Sequence, residues 1–230
     1  LKSIVLLSSG LDSTVNFLMA LRETKILLSL TFDYGQKARE REIYFSKKIC
    51  ERYKVPHKVI YLDFLREINK SALGDKGNIP LLSESDFSKE EILRETAQAV
   101  WVPNRNGLFL NIAACFAESL EADLIVTGFN REEAQTFPDN SKEFLTEANK
   151  FFTYSTLRKP KVISYTQDLN KKELVEKGIG LGLPFELIWS CYLGEELMCG
   201  TCESCQRLWR ATEGTPAHNI VRERMRKCLR

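Results

Sequence analysis

A chain of 230 residues with 33 Lys+Arg against 31 Asp+Glu carries a net charge of only +2, which argues against a protein built mainly to grip a nucleic-acid backbone. Its 43% hydrophobic and 28% charged residues are those of a globular protein rather than a disordered one, and no apolar run reaches bilayer-spanning length. A chain of this mass buries about 70% of its unfolded surface, enough for one large domain, with or without a small appendage, and no disulfides.

Residues 3–7 (Ser-Ile-Val-Leu-Leu) form a continuous apolar run of the kind found in buried parallel strands. A turn of small hydroxyl residues follows, after which Val15, Leu18, Met19 and Leu21 recur at helical spacing. Further strands are expected at 26–32, 59–62, 123–127 and 161–164, with a charged helix ending near Tyr53, an apolar helix over 108–120 and another helix over 170–177. Strands alternating with helices imply an α/β, Rossmann-like parallel sheet covered on both faces. Residues 67–94 are polar, contain Gly74, Gly77 and Pro80, and read as an insertion or lid. The spaced glycines Gly178, Gly180 and Gly182 read as a helix end, and the basic tail Arg222, Arg224, Arg226, Lys227 and Arg230 as a solvated helix face.

The turn Ser8-Ser9-Gly10-Leu11-Asp12-Ser13-Thr14 sits between a strand and a helix, where unpaired backbone N–H groups and the helix dipole favour phosphate. Asp12 beside bound phosphates would be repulsive unless a cation lay between them, so it is expected to help hold Mg²⁺ or to orient the loop. A plain Ser/Asp helix cap is the competing reading.

Seven cysteines are unevenly placed: Cys50, Cys115 and Cys228 are scattered, whereas Cys191, Cys199, Cys202 and Cys205 lie close together. Four thiolates at this density suit one closed tetrahedral structural Zn²⁺, with an iron–sulfur cluster as the alternative. An odd cysteine total does not suggest a disulfide framework, and the N-terminus does not read as a signal peptide. A reducing cytosol is the expected compartment. His57 and His218, which stand in no motif, are read as packing or surface residues.

The loop at residues 8–13 resembles the S-G-G-x-D-S pyrophosphate loop of N-type ATP pyrophosphatases, with Ser9 where that family usually has Gly. If the position requires positive φ, serine is strained there. Trp189-Ser190-Cys191-Tyr192 with Cys199-Gly200-x-Cys202-x-x-Cys205 resembles the C-terminal zinc segment of 7-cyano-7-deazaguanine synthases, the QueC family. Asp33-Tyr34-Gly35-Gln36, Val102-Pro103-Asn104-Arg105-Asn106, Gly128-Phe129-Asn130 and Phe137-Pro138-Asp139 resemble that family's internal motifs in the same order.

The resemblance implies a phosphate-loop domain at 1–183, a zinc-binding helical segment at 184–230, and a homodimer without membrane or stable nucleic-acid partners. It implies an ATP-dependent ligase that converts 7-carboxy-7-deazaguanine and ammonia to the nitrile through adenylated intermediates. ATP would be held by Ser8, Ser9, Gly10, Leu11, Asp12, Ser13, Thr14 and Lys171, with Mg²⁺ accompanying it. The deazaguanine would meet Tyr34, Gln36, Arg105, Asn106, Asn130, Glu133 and Asp139, with Arg105 pairing its carboxylate. Where the commoner family form reads Asp-Tyr-Ser-Gly-Tyr-Pro-Asp-Cys-Arg, this chain has Glu133-Ala134-Gln135-Thr136-Phe137-Pro138-Asp139-Asn140-Ser141. That departure motivates a second reading, in which another amine such as a peptide N-terminus is joined. A non-catalytic nucleotide-binding and zinc interaction module is a third.

Overall fold

The computed structural model describes residues 1–82, 86 and 90–226. Five strands, β1 (Lys2–Leu6), β2 (Lys25–Asp33), β3 (His57–Tyr61), β4 (Leu124–Val126) and β5 (Lys161–Ile163), pair in the order β3-β2-β1-β4-β5. All four pairings are parallel. The expected strands all form, their ends shifted by no more than two residues. Ile4 and Ile125 feed one core while Val5 and Val126 feed the other, as the two-residue period of a strand requires when helices cover both faces.

The helices are α1 (Leu11–Glu23), α2 (Arg39–Tyr53), α3 (Asp63–Ile68), α4 (Glu90–Val100), α5 (Arg105–Ser119), α6 (Arg131–Ala134), α7 (Lys142–Ser155), α8 (Lys171–Leu181), α9 (Glu203–Thr212) and α10 (Ala217–Glu223). Helices α1 and α8 pack on the first core, which also takes in Cys191, Cys199, Cys202, Cys205, Leu208 and Met225. Helices α5 and α7 cover the second through Leu110, Ala113, Leu145 and Phe152. Among the described residues no helix is long and apolar enough to cross a membrane.

The segment read as an insertion lies across the molecule. Lys37 N–H donates to Leu73 O at 2.9 Å and Leu82 N–H to Thr201 O at 3.0 Å, so residues 73–82 run from the turn after β2 to the cysteine-rich loop. Its end is taken up by α4; residues 83–85 and 87–89 lie outside the described residues. In the basic tail, Arg224 departs from the solvated-face reading: it is half-buried and donates to the carbonyls of Phe185, at 3.0 Å, and Ile188. Burial pushes its pKa down to about 10. Lys227 and Arg230 lie outside the described residues. Gly182, at φ 72°, is the left-handed cap that ends α8.

Strand order reverses between β1 and β4, and at such a switch point the loops leaving the carboxyl ends diverge and open a crevice. The two loops touch at Gly128. A Cβ there would lie 2.7 Å from Ser13 N and 2.9 Å from Ser13 Cα, and both are backbone atoms that cannot swing aside. Gly128→Ala is therefore expected to cost about 1–3 kcal/mol as overpacking and to weaken nucleotide binding, because relief requires shifting the start of α1. Urea unfolding and nucleotide titration of the variant check both effects.

Candidate functional site

A cavity of about 270 Å³ opens at this switch point. It is lined by the first turn of α1, the loops after β2 and β4, the starts of α5 and α8, and residues 189–192 and 203–207. Its floor is the loop joining β1 to α1. Gly10, the N-cap, brings no capping side chain, so the first-turn N–H groups of α1 are left for an anion.

Ser8, Gly10, Leu11, Asp12 and Ser13 line the cavity. Ser13 Oγ accepts from Ser8 N–H at 3.2 Å and lies 3.2 Å from Ser8 Oγ. Ser9 and Thr14 are fully buried behind this surface, their hydroxyls donating to Ser8 O at 2.5 Å and Gly10 O at 2.8 Å. Ser9 does adopt positive φ, 59°, a left-handed conformation costly for a non-glycine residue. Its carbonyl accepts from Trp189 N–H at 2.9 Å, so this turn ties the loop to the cysteine-rich segment.

Lys171 is 8% exposed, and its Nζ donates to Asp12 Oδ2 at 2.5 Å and Glu133 Oε1 at 2.6 Å. Asn170 and Glu173 form a reciprocal capping box that fixes Lys171 at the first position of α8. Burial works against the ammonium, but the two carboxylates outweigh it and hold its pKa above the ordinary lysine value. For Asp12 burial dominates and raises the carboxyl. Glu133, also penalised by burial, is held below its usual value by Lys171. Asn130, buried and outside the cavity lining, caps α6 by accepting from Glu133 N–H at 2.9 Å and donates Nδ2 to Asp12 Oδ1 at 2.8 Å. Asn16, unnoticed in the sequence, donates to Asp12 O at 2.9 Å and to Thr166 Oγ1 at 2.6 Å, joining α1 to the end of β5.

The opposite wall is aromatic and basic. Arg105 donates to the Tyr34 hydroxyl at 3.1 Å; burial opposes its charge, but Tyr34 and Asp139 keep its pKa above the ordinary arginine value. Asn106 lines the cavity and donates weakly to Asp139 O at 3.4 Å. Asp139 itself lies behind the lining, its carboxyl raised by burial. Phe109, stacked on Phe32 with ring centres 4.0 Å apart, and Phe137 complete a surface suited to a flat ring.

Gln36 is almost wholly buried and spends its amide on the Tyr34 N–H, the Phe32 carbonyl and Glu42 Oε2, each at 2.9 Å. It thereby holds Glu42, a cavity-lining carboxylate on the charged helix α2 that the sequence did not single out. Burial pushes Glu42 up to about 7.

The Sγ atoms of Cys191, Cys199, Cys202 and Cys205 lie within 4.8 Å of one another, all buried. Tetrahedral bonds of about 2.3 Å imply sulfur separations of about 3.8 Å, so this cluster can hold a metal ion. Backbone N–H groups already point at sulfur: Leu193 and Cys199 donate to Cys191 Sγ at 3.3 Å, and Thr201 and Cys202 to Cys199 Sγ at 3.4 and 3.3 Å. Amides so aimed stabilise thiolates. His57 and His218 stand away from the cavity lining, near the Thr31 and Thr212 hydroxyls at 2.8 and 3.2 Å.

Fold and site together define an α/β protein with an uncapped strand–loop–helix turn at its switch point and a buried four-cysteine cluster beside the cavity. A family model described as "Queuosine biosynthesis protein QueC" matches residues 2–214: the chain belongs to the QueC family. It is 53% identical over 214 residues to a 7-cyano-7-deazaguanine synthase of Pelotomaculum thermopropionicum, covering 93% of this chain and 97% of that one. It is 45% identical over 229 residues to the 7-cyano-7-deazaguanine synthase of Methanosarcina barkeri, covering 98% and 99%. In fold it is similar to a 4-thiouridine synthetase solved with RNA and bound ATP, with a TM-score of 0.50 and 20% identity over 96% of this chain and 52% of that one.

Glu42 gives the site a pH signature. Its pKa rises from 4.5 to about 7 on folding, so between these values the native state binds more protons than the unfolded chain. Its contribution to stability is complete below pH 4.5, is lost as pH rises towards 7 and is level above. Glu42→Gln is expected to remove this fall. Urea midpoints from pH 5 to 8 measure it as the difference between wild type and variant; identical slopes would refute the assignment.

Proposed function

We propose that this chain is an ATP-dependent carbon–nitrogen ligase that makes 7-cyano-7-deazaguanine from 7-carboxy-7-deazaguanine and ammonia. The observation carrying this reading is that a phosphate-type loop, a buried lysine and a half-buried arginine share one aromatic-walled cavity in a chain of the QueC family. Similarity to named synthases along nearly the whole chain weighs against a different amine and against a non-catalytic module.

A carboxylate does not exchange oxygen for ammonia at neutral pH, because its leaving group is poor. Attack of the substrate carboxylate on the α-phosphorus of ATP forms an acyl-adenylate and releases pyrophosphate. Ammonia then displaces AMP to give the amide. A second ATP activates the amide oxygen, and loss of AMP with two protons leaves the nitrile.

The protein's work in this sequence is positioning and charge stabilisation rather than nucleophilic attack. The first-turn amides of α1, with Ser8 and Ser13, would receive the phosphates. Lys171 would turn from Asp12 and Glu133 towards the pyrophosphate as negative charge develops there. Arg105 would orient the substrate carboxylate, while Tyr34, Phe109 and Phe137 enclose the ring. Glu42, with a pKa near neutrality, is suited to take a proton from the attacking nitrogen. Mg²⁺ accompanying ATP would neutralise phosphate charge, with Asp12 the carboxylate at the loop to meet it. Zn²⁺ fits the four thiolates and leaves no open position for chemistry. This reading takes a reducing cytosol as the compartment and a homodimer as the working form.

Incubating the protein with 7-carboxy-7-deazaguanine, ammonium and Mg-ATP should yield nitrile and AMP by mass spectrometry; neither amide nor nitrile would refute the reading. Lys171→Gln should lower kcat about 10²-fold or more. Elemental analysis should find about one zinc per chain. A brown protein absorbing in the visible would instead indicate an iron–sulfur cluster.

A further inference from the structure

The sequence resemblance placed Asn130, Glu133 and Asp139 against the deazaguanine. In the structure these residues have other occupations. Asn130 caps α6 and holds Asp12, Glu133 pairs with Lys171, and Asp139 lies behind Arg105. A fully buried carboxylate oxygen with no partner among the described residues lies elsewhere in the cavity wall.

Two cavity-lining side chains have buried polar atoms with no hydrogen-bond partner among the described residues: Trp189 Nε1 and Glu203 Oε2. The indole N–H is a donor only and cannot receive another N–H. Glu203 can. Its side chain is 1% exposed, and Arg207 loads one of its oxygens, Oε1, with Nε–H at 3.0 Å and Nη2–H at 2.7 Å. Oε2 receives nothing. A buried carboxylate oxygen left bare costs of the order of kilocalories per mole, and a ligand donating N–H removes that cost.

Charge supports the same orientation. Arg207 pairs with both Glu203 and Glu132, so the cluster carries one excess negative charge. Arg105 is the positive group on the aromatic wall. In a 7-carboxylated deazaguanine the carboxylate lies on the five-membered ring, and the ring N–H and 2-amino group lie on the six-membered ring. A cavity basic at one wall and acidic at another matches that distribution.

We propose that Glu203 is the specificity-determining acceptor for the adjacent ring N–H and exocyclic amino group of the substrate base, with Oε2 as the receiving oxygen. The inference rests on the deazaguanine reading above. Glu203 directly follows Cys202, the N-cap of α9, so the metal-binding loop itself carries the recognition group. Selection for a 2-aminated ring then depends on a residue held by the cysteine centre, not on the segment at 130–139.

The test compares 7-carboxy-7-deazaguanine with its 2-deamino counterpart in wild type and Glu203→Gln. Wild type should favour the 2-amino substrate at least tenfold in kcat/KM, chiefly through KM, and the variant should bring the ratio close to one with the KM for ATP unchanged. Zinc content and unfolding midpoint report whether Glu203→Gln keeps its fold; if it does not, the comparison is repeated with Glu203→Asp, which keeps the charge but draws the carboxylate back, and the ratio should fall there as well. Calorimetric binding of 7-deazaguanine and 7-deazahypoxanthine, which lack the carboxylate, separates the two claims. If wild type converts neither acid yet prefers the aminated base, and Glu203→Gln loses that preference, recognition by Glu203 stands and the ligase reading falls. Equal handling of both rings by wild type, or an undiminished preference in a folded Glu203→Gln, overturns the proposal.

Discussion

The ammonium of Lys171, buried between Asp12 and Glu133, is the constraint around which the site is arranged. Three charges come from three separate elements: the first turn of α1, α6 beyond β4, and the first turn of α8. Burying them is tolerable only together, since loss of one partner leaves an uncompensated charge worth about 3–5 kcal/mol. Nothing in α8 alone favours a cation at its N-terminus, where the helix dipole is positive. The carboxylates brought across by the sheet's reversal make it stable there. The uncapped N-terminus of α1 favours an anion beside it, so phosphate entering the cavity would meet that terminus and one lysine while the carboxylates already balance that lysine.

The parts of this arrangement differ in how far they can be read without coordinates. Strands β1 to β5 announce themselves as apolar runs bounded by turns, and four clustered cysteines need no tertiary information to suggest a metal. The loop at 8–14 is legible as an anion site, yet its division of labour is not: Ser9 and Thr14 look equivalent to Ser8 and Ser13 until the turn at φ 59° puts them behind the surface. Lys171 and Lys172 are adjacent and chemically alike. The capping box at Asn170 and Glu173 was the readable sign that residue 171 opens a helix, but only the position of Asp12 shows why that lysine is buried. Asn130 carries the same kind of sign, an Asn followed three residues later by Glu, and it does cap α6. Helix α7 also had a signal, Ser141 as cap before Phe144, Leu145, Ala148 and Phe152 at helical spacing. Glu42 had none. It is one of many charges on α2, and its pKa reflects burial against Gln36 and the cavity wall.

The cysteine cluster bears on the chemistry although four thiolates around one ion would leave no open coordination position. Four loop amides point at its sulfurs, Cys202 caps α9, and the Ser9 carbonyl holds Trp189 N–H just ahead of Cys191. One small centre therefore sets the position of the phosphate loop on one side and of Glu203 and Arg207 on the other. A loop without such a staple would pay for ordering on every binding event. A crosslinked one has that entropy removed in advance, so more of the binding energy is available for orientation. Adenylation demands this: the carboxylate must approach the α-phosphorus in line, and a ring free to slide in an aromatic slot would lose that alignment. In the reading proposed above, Arg105 would fix the reacting end and the acidic wall at Glu203 the far end. Two points would define the direction of the substrate where one would not, which gives a physical reason for a closed four-cysteine cluster to stand in the wall of a cavity whose reaction has no use for a Lewis acid at that position.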